Sequence, residues 1–87
     1  MRRDRLEIIK DILEAIRVKE NVKPTHIMYK ANLSHKLLNE YLMELSEKGM
    51  ISSVSEKNRK LITLNDKGYE FMVQFKKMRE FQDTFGL

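Results

Sequence analysis

Apolar residues along this chain switch from a helical period to an alternating one and back again. From Asp4 to Val18, Leu6, Ile9, Leu13 and Ile16 recur at helical spacing, with Ile8 and Ile12 beside them. This broad stripe predicts a first helix over about Asp4 to Lys19. Asn21, Val22, Lys23 and Pro24 break it. Thr25 is the expected N-cap of a second, two-turn helix whose inward face is Ile27, Met28 and Ala31. Asn32 tolerates the left-handed backbone of a tight turn, and Leu33 can plug the core at that corner. Ser34 caps a third helix that runs to Lys48 and is stopped by Gly49. At 100° per residue, Leu37, Leu38, Tyr41, Leu42 and Leu45 share its inner side. Lys36, Asn39, Glu40, Met43 and Glu47 are left on the outer side.

The period then shortens. Met50 to Ser55 and Leu61 to Leu64 are β-capable runs, separated by Glu56-Lys57-Asn58-Arg59-Lys60 as a solvent-facing hairpin loop. Asn65 is expected to cap a last helix, Asp66 to about Phe85, roughly 30 Å long. Gly68 in its first turn weakens it by up to about 1 kcal/mol relative to alanine, and a close approach to the first helix would explain the residue. Phe71, Phe75, Met78 and Phe85 step by four, three and seven, with Phe81 and Gln82 filling the gap, a heptad-like seam for a second copy. Tyr69 and Met72 point elsewhere and can cover the chain's own core. The competing reading folds all these residues back onto one core.

The fold class is therefore mainly α with a small β-hairpin: a winged helix-turn-helix followed by a long C-terminal helix. Residues 1–65 form the winged unit and residues 66–87 the dimerisation helix, packed together. At 87 residues this is one domain, burying only roughly 60–65% of its unfolded surface, so a dimer would add stability. With no cysteine, disulfides and thiolate metal sites are excluded, and two separated histidines make no metal site. No apolar run approaches the ~18 residues of a membrane span, and no signal-peptide core follows Met1, so a soluble, cytoplasmic protein without membrane partner is expected. Catalytic constellations are absent: no Cys-His pair, no metal-binding His-x-x-Glu, no glycine-rich phosphate loop. Neither a cofactor nor a small-molecule ligand is indicated.

The net charge of +4 is unevenly spread. Residues 19–36 carry Lys19, Lys23, Lys30 and Lys36 against Glu20, a net +3. Residues 37–48 are net −2 through Glu40, Glu44 and Glu47 against Lys48. Residues 49–64 return to net +2 with Lys57, Arg59 and Lys60 against Glu56. Positive charge thus flanks the third helix on both sides. A solvated surface would read the same way from composition alone. Placed on a helix-turn-helix with a wing, however, such flanks suit a polyanion.

Individual residues extend this reading. Lys36 and Asn39 lie in the first turns of the third helix, where asparagine can read adenine and lysine can reach guanine or phosphate. Glu40 can accept from cytosine, or it simply repels phosphate. Met43 can touch a thymine methyl or another protein surface. His35 can meet phosphate, although His35 and His26 also read as plain surface histidines. Lys57, Asn58, Arg59 and Lys60 suit phosphate contact, which contributes affinity and salt dependence rather than sequence preference. Arg2, Arg3 and Arg5 can form a basic N-terminal arm.

The run IMYKANLSHKLLNEYL, followed by LSEKGMI, resembles the archaeal ten-kilodalton winged-helix DNA-binding proteins that dimerise through a C-terminal coiled-coil helix. LNDKGYEF resembles the segment where that family's wing runs into its last helix, with Asn65 where a threonine is usual. The resemblance covers nearly the whole chain. It implies a homodimer binding double-stranded DNA in an archaeal cytoplasm, as a transcription regulator or chromatin-associated protein. The helix from Ser34 to Lys48 would enter the major groove, the wing would lie on the backbone or minor groove, and the helix from Gly68 onward would dimerise.

The expected DNA-contacting set is Lys30, Ser34, His35, Lys36, Asn39, Glu40, Met43, Lys57, Asn58, Arg59 and Lys60. The expected dimer interface is Phe71, Phe75, Met78, Phe81, Gln82 and Phe85. The alternative is a winged-helix protein–protein module without DNA binding, which Glu40, Met43, Glu44 and Glu47 favour.

Overall fold

The computed structural model describes residues 3–87. Asp4 opens helix α1 (Arg5–Lys19) with a reciprocal cap: its carboxylate accepts from Glu7 N–H at 2.8 Å, and the Glu7 carboxylate accepts from Asp4 N–H at 3.4 Å. The stripe buries Ile9, Ile12, Leu13, Ala15 and Ile16, while Leu6 stays exposed. A two-residue strand β1 (Asn21–Val22) follows where only a break was expected. Helix α2 (Pro24–Ala31) starts one residue before the expected cap. Pro24 takes the first helical position, where its missing N–H costs nothing, so Lys23 rather than Thr25 is the N-cap, without a side-chain hydrogen bond. Asn32 is left-handed (φ 54°), and Leu33 packs against the core.

Ser34 Oγ accepts from Leu37 N–H at 3.1 Å and starts helix α3 (His35–Glu47). Gly49 (φ 74°) ends it: Met50 N–H reaches Leu45 O at 2.9 Å and Gly49 N–H reaches Ser46 O at 3.0 Å, the paired bonds of a Schellman stop. Leu38, Tyr41, Leu42 and Leu45 are buried, but Leu37, expected inside, sits at the exposed rim of that face. Strands β2 (Ile51–Glu56) and β3 (Arg59–Leu64) pair antiparallel from Ile51↔Leu64 to Glu56↔Arg59. β1 joins the other edge of β3 through Asn21↔Thr63 and Val22↔Ile62, giving sheet order β1-β3-β2. The expected five-residue loop is a two-residue turn. Lys57 (φ 50°) and Asn58 (φ 63°) carry the two positive φ values of a type I′ hairpin, so Arg59 and Lys60 belong to the strand.

Helix α4 (Asp66–Thr84) follows Asn65 at the N-cap position. Its side chain does not cap the helix. Asn65 Nδ2 donates to Gly49 O at 3.1 Å and Oδ1 accepts from Ser52 Oγ at 3.0 Å, tying the end of α3 to the start of α4. Gly68 is required by a close approach, though to the sheet rather than to α1. A Cβ there would lie 2.6 Å from both Met50 O and Leu64 Cδ1.

The six-residue seam on α4 divides. Phe75 is buried and Phe71 is half-buried against the core, whereas Met78, Phe81 and Phe85 are exposed and Gln82 is partly covered. Phe71 and Phe75 reach the body of the domain because α1 still lies beneath them; Arg79 pairs with Glu7 of the first turn of α1 at 2.8 Å, and farther along α4 there is little of α1 left to pack on. As expected, Met72 covers the core, but Tyr69 is 43% exposed. The molecule measures 49 × 27 × 21 Å. Among the described residues no helix is long and apolar enough to cross a membrane.

Candidate nucleic-acid interface

The outer face of α3 is presented by its own packing. Once Leu38, Tyr41, Leu42 and Leu45 are buried, helical geometry leaves Lys36, Asn39, Glu40, Met43 and Glu47 outside, and all five are exposed. His35 is exposed beside them, its Nδ1 lying 3.3 Å from Asn39 Nδ2 one turn on. That contact holds the Asn39 amide close to the helix surface. The start of α3 also adds the partial positive charge of a helix N-terminus next to Lys36.

The β2–β3 ribbon walls the far side of this face. Strand alternation gives Ser53, Ser55, Lys60 and Ile62 one face and Val54, Glu56, Arg59 and Leu61 the other. Lys60 therefore joins Asn39, Met43, Ser46, Glu47 and Ser53 around a groove of ≈ 550 Å³ between α3 and the ribbon, floored by Leu42, Ile51 and Ile62. The ribbon's opposite face sends Arg59 elsewhere, to a groove with Lys19, Asn21, Lys23 and His26. Lys30 is likewise turned away, beside Asp11, Glu14, Val18 and Lys19. Of the eleven expected contact residues, Asn39, Met43 and Lys60 share the α3 groove. Ser34, His35, Lys36 and Glu40 lie along the same helix, Lys57 and Asn58 form the wing tip, and Arg59 and Lys30 face other ways. Ser46 and Ser53, not among the expected contacts, also line this groove, and the period-2 alternation from Ile51 marks Ser53.

The acidic character of α3 is less than its sequence implies. Glu44 does not sit on the outer face: it is partly buried and accepts from both Arg5 of α1 and Lys48, the latter at 2.7 Å. The hydrogen bond from Lys48 first, then that from Arg5, holds its carboxyl below the usual glutamate range. Arg5 also lies over the Tyr41 ring, 5.8 Å from its centroid. The expected basic arm is thus folded down. Arg3 pairs with Asp11 at 2.8 Å and donates to Asn32 O at 3.3 Å, and Arg5 is consumed by Glu44 and Tyr41. Arg2 lies outside the described residues.

Ion pairing separates structural cations from available ones. Among the described residues, Arg3, Arg5, Lys10, Arg17, Lys48 and Arg79 have acidic partners. Among the same described residues Lys36, Lys57, Arg59 and Lys60 have none, nor do Lys19, Lys23 and Lys30, nor Lys67, Lys76 and Lys77 on α4. A solvated lysine forms easily replaced contacts, so this unpaired set is free to meet phosphate.

A family model described as winged helix-turn-helix matches residues 2–83. The chain belongs to that family. It is similar in structure to Sso10a-2, a DNA-binding protein from Sulfolobus solfataricus, with 22% identity, a TM-score of 0.83, and coverage of 95% of this chain and 85% of the other. It is also similar to MepR, a transcription regulator of the Staphylococcus aureus multidrug efflux pump MepA, with 17% identity and a TM-score of 0.77 over 90% of this chain and 61% of MepR. BpsR of Bordetella bronchiseptica, whose DNA binding is regulated by 6-hydroxynicotinic acid, matches at 16% identity and a TM-score of 0.77, over 91% of this chain and 60% of BpsR. No curated protein matches the sequence. At these identities the likeness is one of fold.

Proposed function

We propose that this winged helix-turn-helix protein is a non-enzymatic regulator of archaeal transcription or chromatin that binds double-stranded DNA as a homodimer in the cytoplasm, on the nucleoid. One observation carries the reading: unpaired cations frame the exposed face of α3, with Lys36 at its start and Lys60 across the groove, while the nearby acid Glu44 is neutralised by Arg5 and Lys48. The DNA-binding neighbours support it.

In this reading α3 enters the major groove, which admits a helix. Lys36 and Asn39 meet base edges, Met43 offers a thymine-methyl contact, and Lys57 and Lys60 hold phosphates. Glu40 and Glu47 disfavour a purely phosphate-bound orientation and so set the helix by repulsion. The second copy is joined through the exposed part of α4, Met78, Phe81 and Phe85.

The test is fluorescence anisotropy with a random duplex across a salt series. Affinity should fall steeply with salt, and Lys57→Ala/Lys60→Ala should reduce the log–log slope by nearly two for each subunit engaged, at about 0.9 per phosphate contact. No binding at low salt would remove the DNA reading and leave α3 and Met43 as a protein-docking face.

A further inference from the structure

Arg59 and Lys60 are consecutive strand residues, so they leave opposite faces of the wing. The face that carries Arg59 closes a groove of ≈ 420 Å³ with Lys19, Asn21, Lys23 and His26, built from the end of α1, strand β1 and the start of α2. Lys19, Lys23 and Arg59 are exposed, and among the described residues none of them forms an ion pair. Two acids are near in the chain: Glu20 beside Lys19, and Glu56 across the strand from Arg59. Among the described residues neither forms an ion pair, so three lysine and arginine charges face the groove against at most two acids, with the His26 ring beside them.

We propose that this rear groove of the wing holds the phosphate backbone of a second DNA segment, so that each subunit can grip two duplexes. The proposal rests on the α3 face being the first DNA surface. The two faces do not close on one groove of a single duplex. A ribbon with side chains on both sides is about 10 Å thick, the minor groove is only about 6 Å wide, and the major groove is given to α3. A peptide partner is the poorer fit: the groove's apolar members are only the buried Val22 and the partly covered Leu61, little surface for an apolar anchor. DNA already held on the α3 face would also bring further segments to the rear groove at high local concentration.

The experiment counts duplexes. A duplex of about 12 base pairs, little more than one helical turn, is titrated into the full chain at about 50 mM salt, and stoichiometry per subunit is read by calorimetry and sedimentation. Two binding events per subunit are expected, the weaker being the more salt-sensitive. Lys19→Ala/Lys23→Ala/Arg59→Ala should abolish the weaker event and leave the tighter one within about twofold, since all three side chains are exposed and a thermal melt will report an intact fold. Lys36→Ala/Asn39→Ala/Lys60→Ala should instead remove the tighter event. The proposal is overturned if the native chain saturates at one duplex per subunit, or if the rear triple variant still takes two. It is also overturned if that variant weakens a single event about tenfold, because both faces would then grip one duplex. If neither event occurs in the native chain, the α3 reading itself has failed.

Discussion

Helix α4 carries two aromatic pairs spaced four residues apart, Phe71–Phe75 and Phe81–Phe85, and their surroundings are opposite. The first pair lies 6.2 Å between ring centroids, with Phe75 buried and covered by the Arg79 guanidinium at 5.2 Å. The second is closer, at 5.0 Å, yet Phe81 is 59% and Phe85 64% exposed. Composition and spacing do not separate them. Position relative to α1 does: α1 begins beside Arg79, so Phe75 meets a neighbour and Phe85 passes beyond it. A heptad-like seam is therefore a statement about a face, and its occupant is decided by which other element runs alongside. The near pair belongs to the subunit's own core, and the far pair is the part of the seam that the subunit itself leaves uncovered.

The comparison breaks most visibly at Phe75. Phe75→Ala should cost about 3 kcal/mol in urea denaturation, the low end for a buried aromatic because the site lies at the domain edge. A loss below about 1 kcal/mol would mean that the near half of α4 is not part of the core. Gly68→Ala comes next. The new methyl would meet Met50 O, which is fixed because it accepts from Asn65 N–H at 3.0 Å, and Leu64 Cδ1, which can rotate. Overpacking of about 1–3 kcal/mol opposes a helix-propensity gain of about 1 kcal/mol, leaving a net loss of up to about 2 kcal/mol. A stabilised variant would show that the junction between sheet and α4 yields.

Legibility from sequence followed the range of the contact. α1, α3 and α4 were readable because each states its own period, while Asn32 marks the end of α2, and Ser34 and Gly49 the two ends of α3, by local backbone chemistry. β1 was not readable: two residues have no period, and they become a strand only by pairing with Ile62 and Thr63 far along the chain. The wing turn was misread because Glu56 to Lys60 is uniformly polar, and a ribbon that projects past the core has no buried residue to reveal its alternation. Pro24 did carry a signal for the first helical position, which Thr25 obscured. At the candidate site, the outer face of α3 was legible from 100° spacing. The fate of Glu44 was not, since its partner Arg5 lies 39 residues away. The parting of Arg59 from Lys60 also required the true turn length, because one residue of register exchanges the faces.

A smaller effect sharpens the boundary between the two halves. Arg79 is the last tie from α4 to α1, through the Glu7 pair and the Phe75 ring. Both partners of the pair are partly solvated, so Arg79→Ala should cost only about 0.5–1 kcal/mol. Raised salt should recover little of that loss if the ring contact dominates and much of it if the ion pair does. A thermal melt at two ionic strengths distinguishes the two.

The smallest effect on the fold is expected beyond that boundary, and it carries the most about assembly. Phe81→Ser/Phe85→Ser removes two large apolar side chains that the subunit leaves in water, so the dilute monomer should change by no more than about 0.5 kcal/mol. If a second copy covers this segment, the native chain should scatter light as twice its 10.4 kDa subunit mass, and its melting temperature should rise with protein concentration. The double variant should lose both behaviours together while keeping the same melting temperature when dilute. A variant that retained the dimer mass would move the interface off the far pair, towards the groove where Tyr69 and Val73 are exposed beside α1. A variant that lost dilute stability would show the far pair to be part of the subunit's own core, and the two halves of α4 would then differ only in degree.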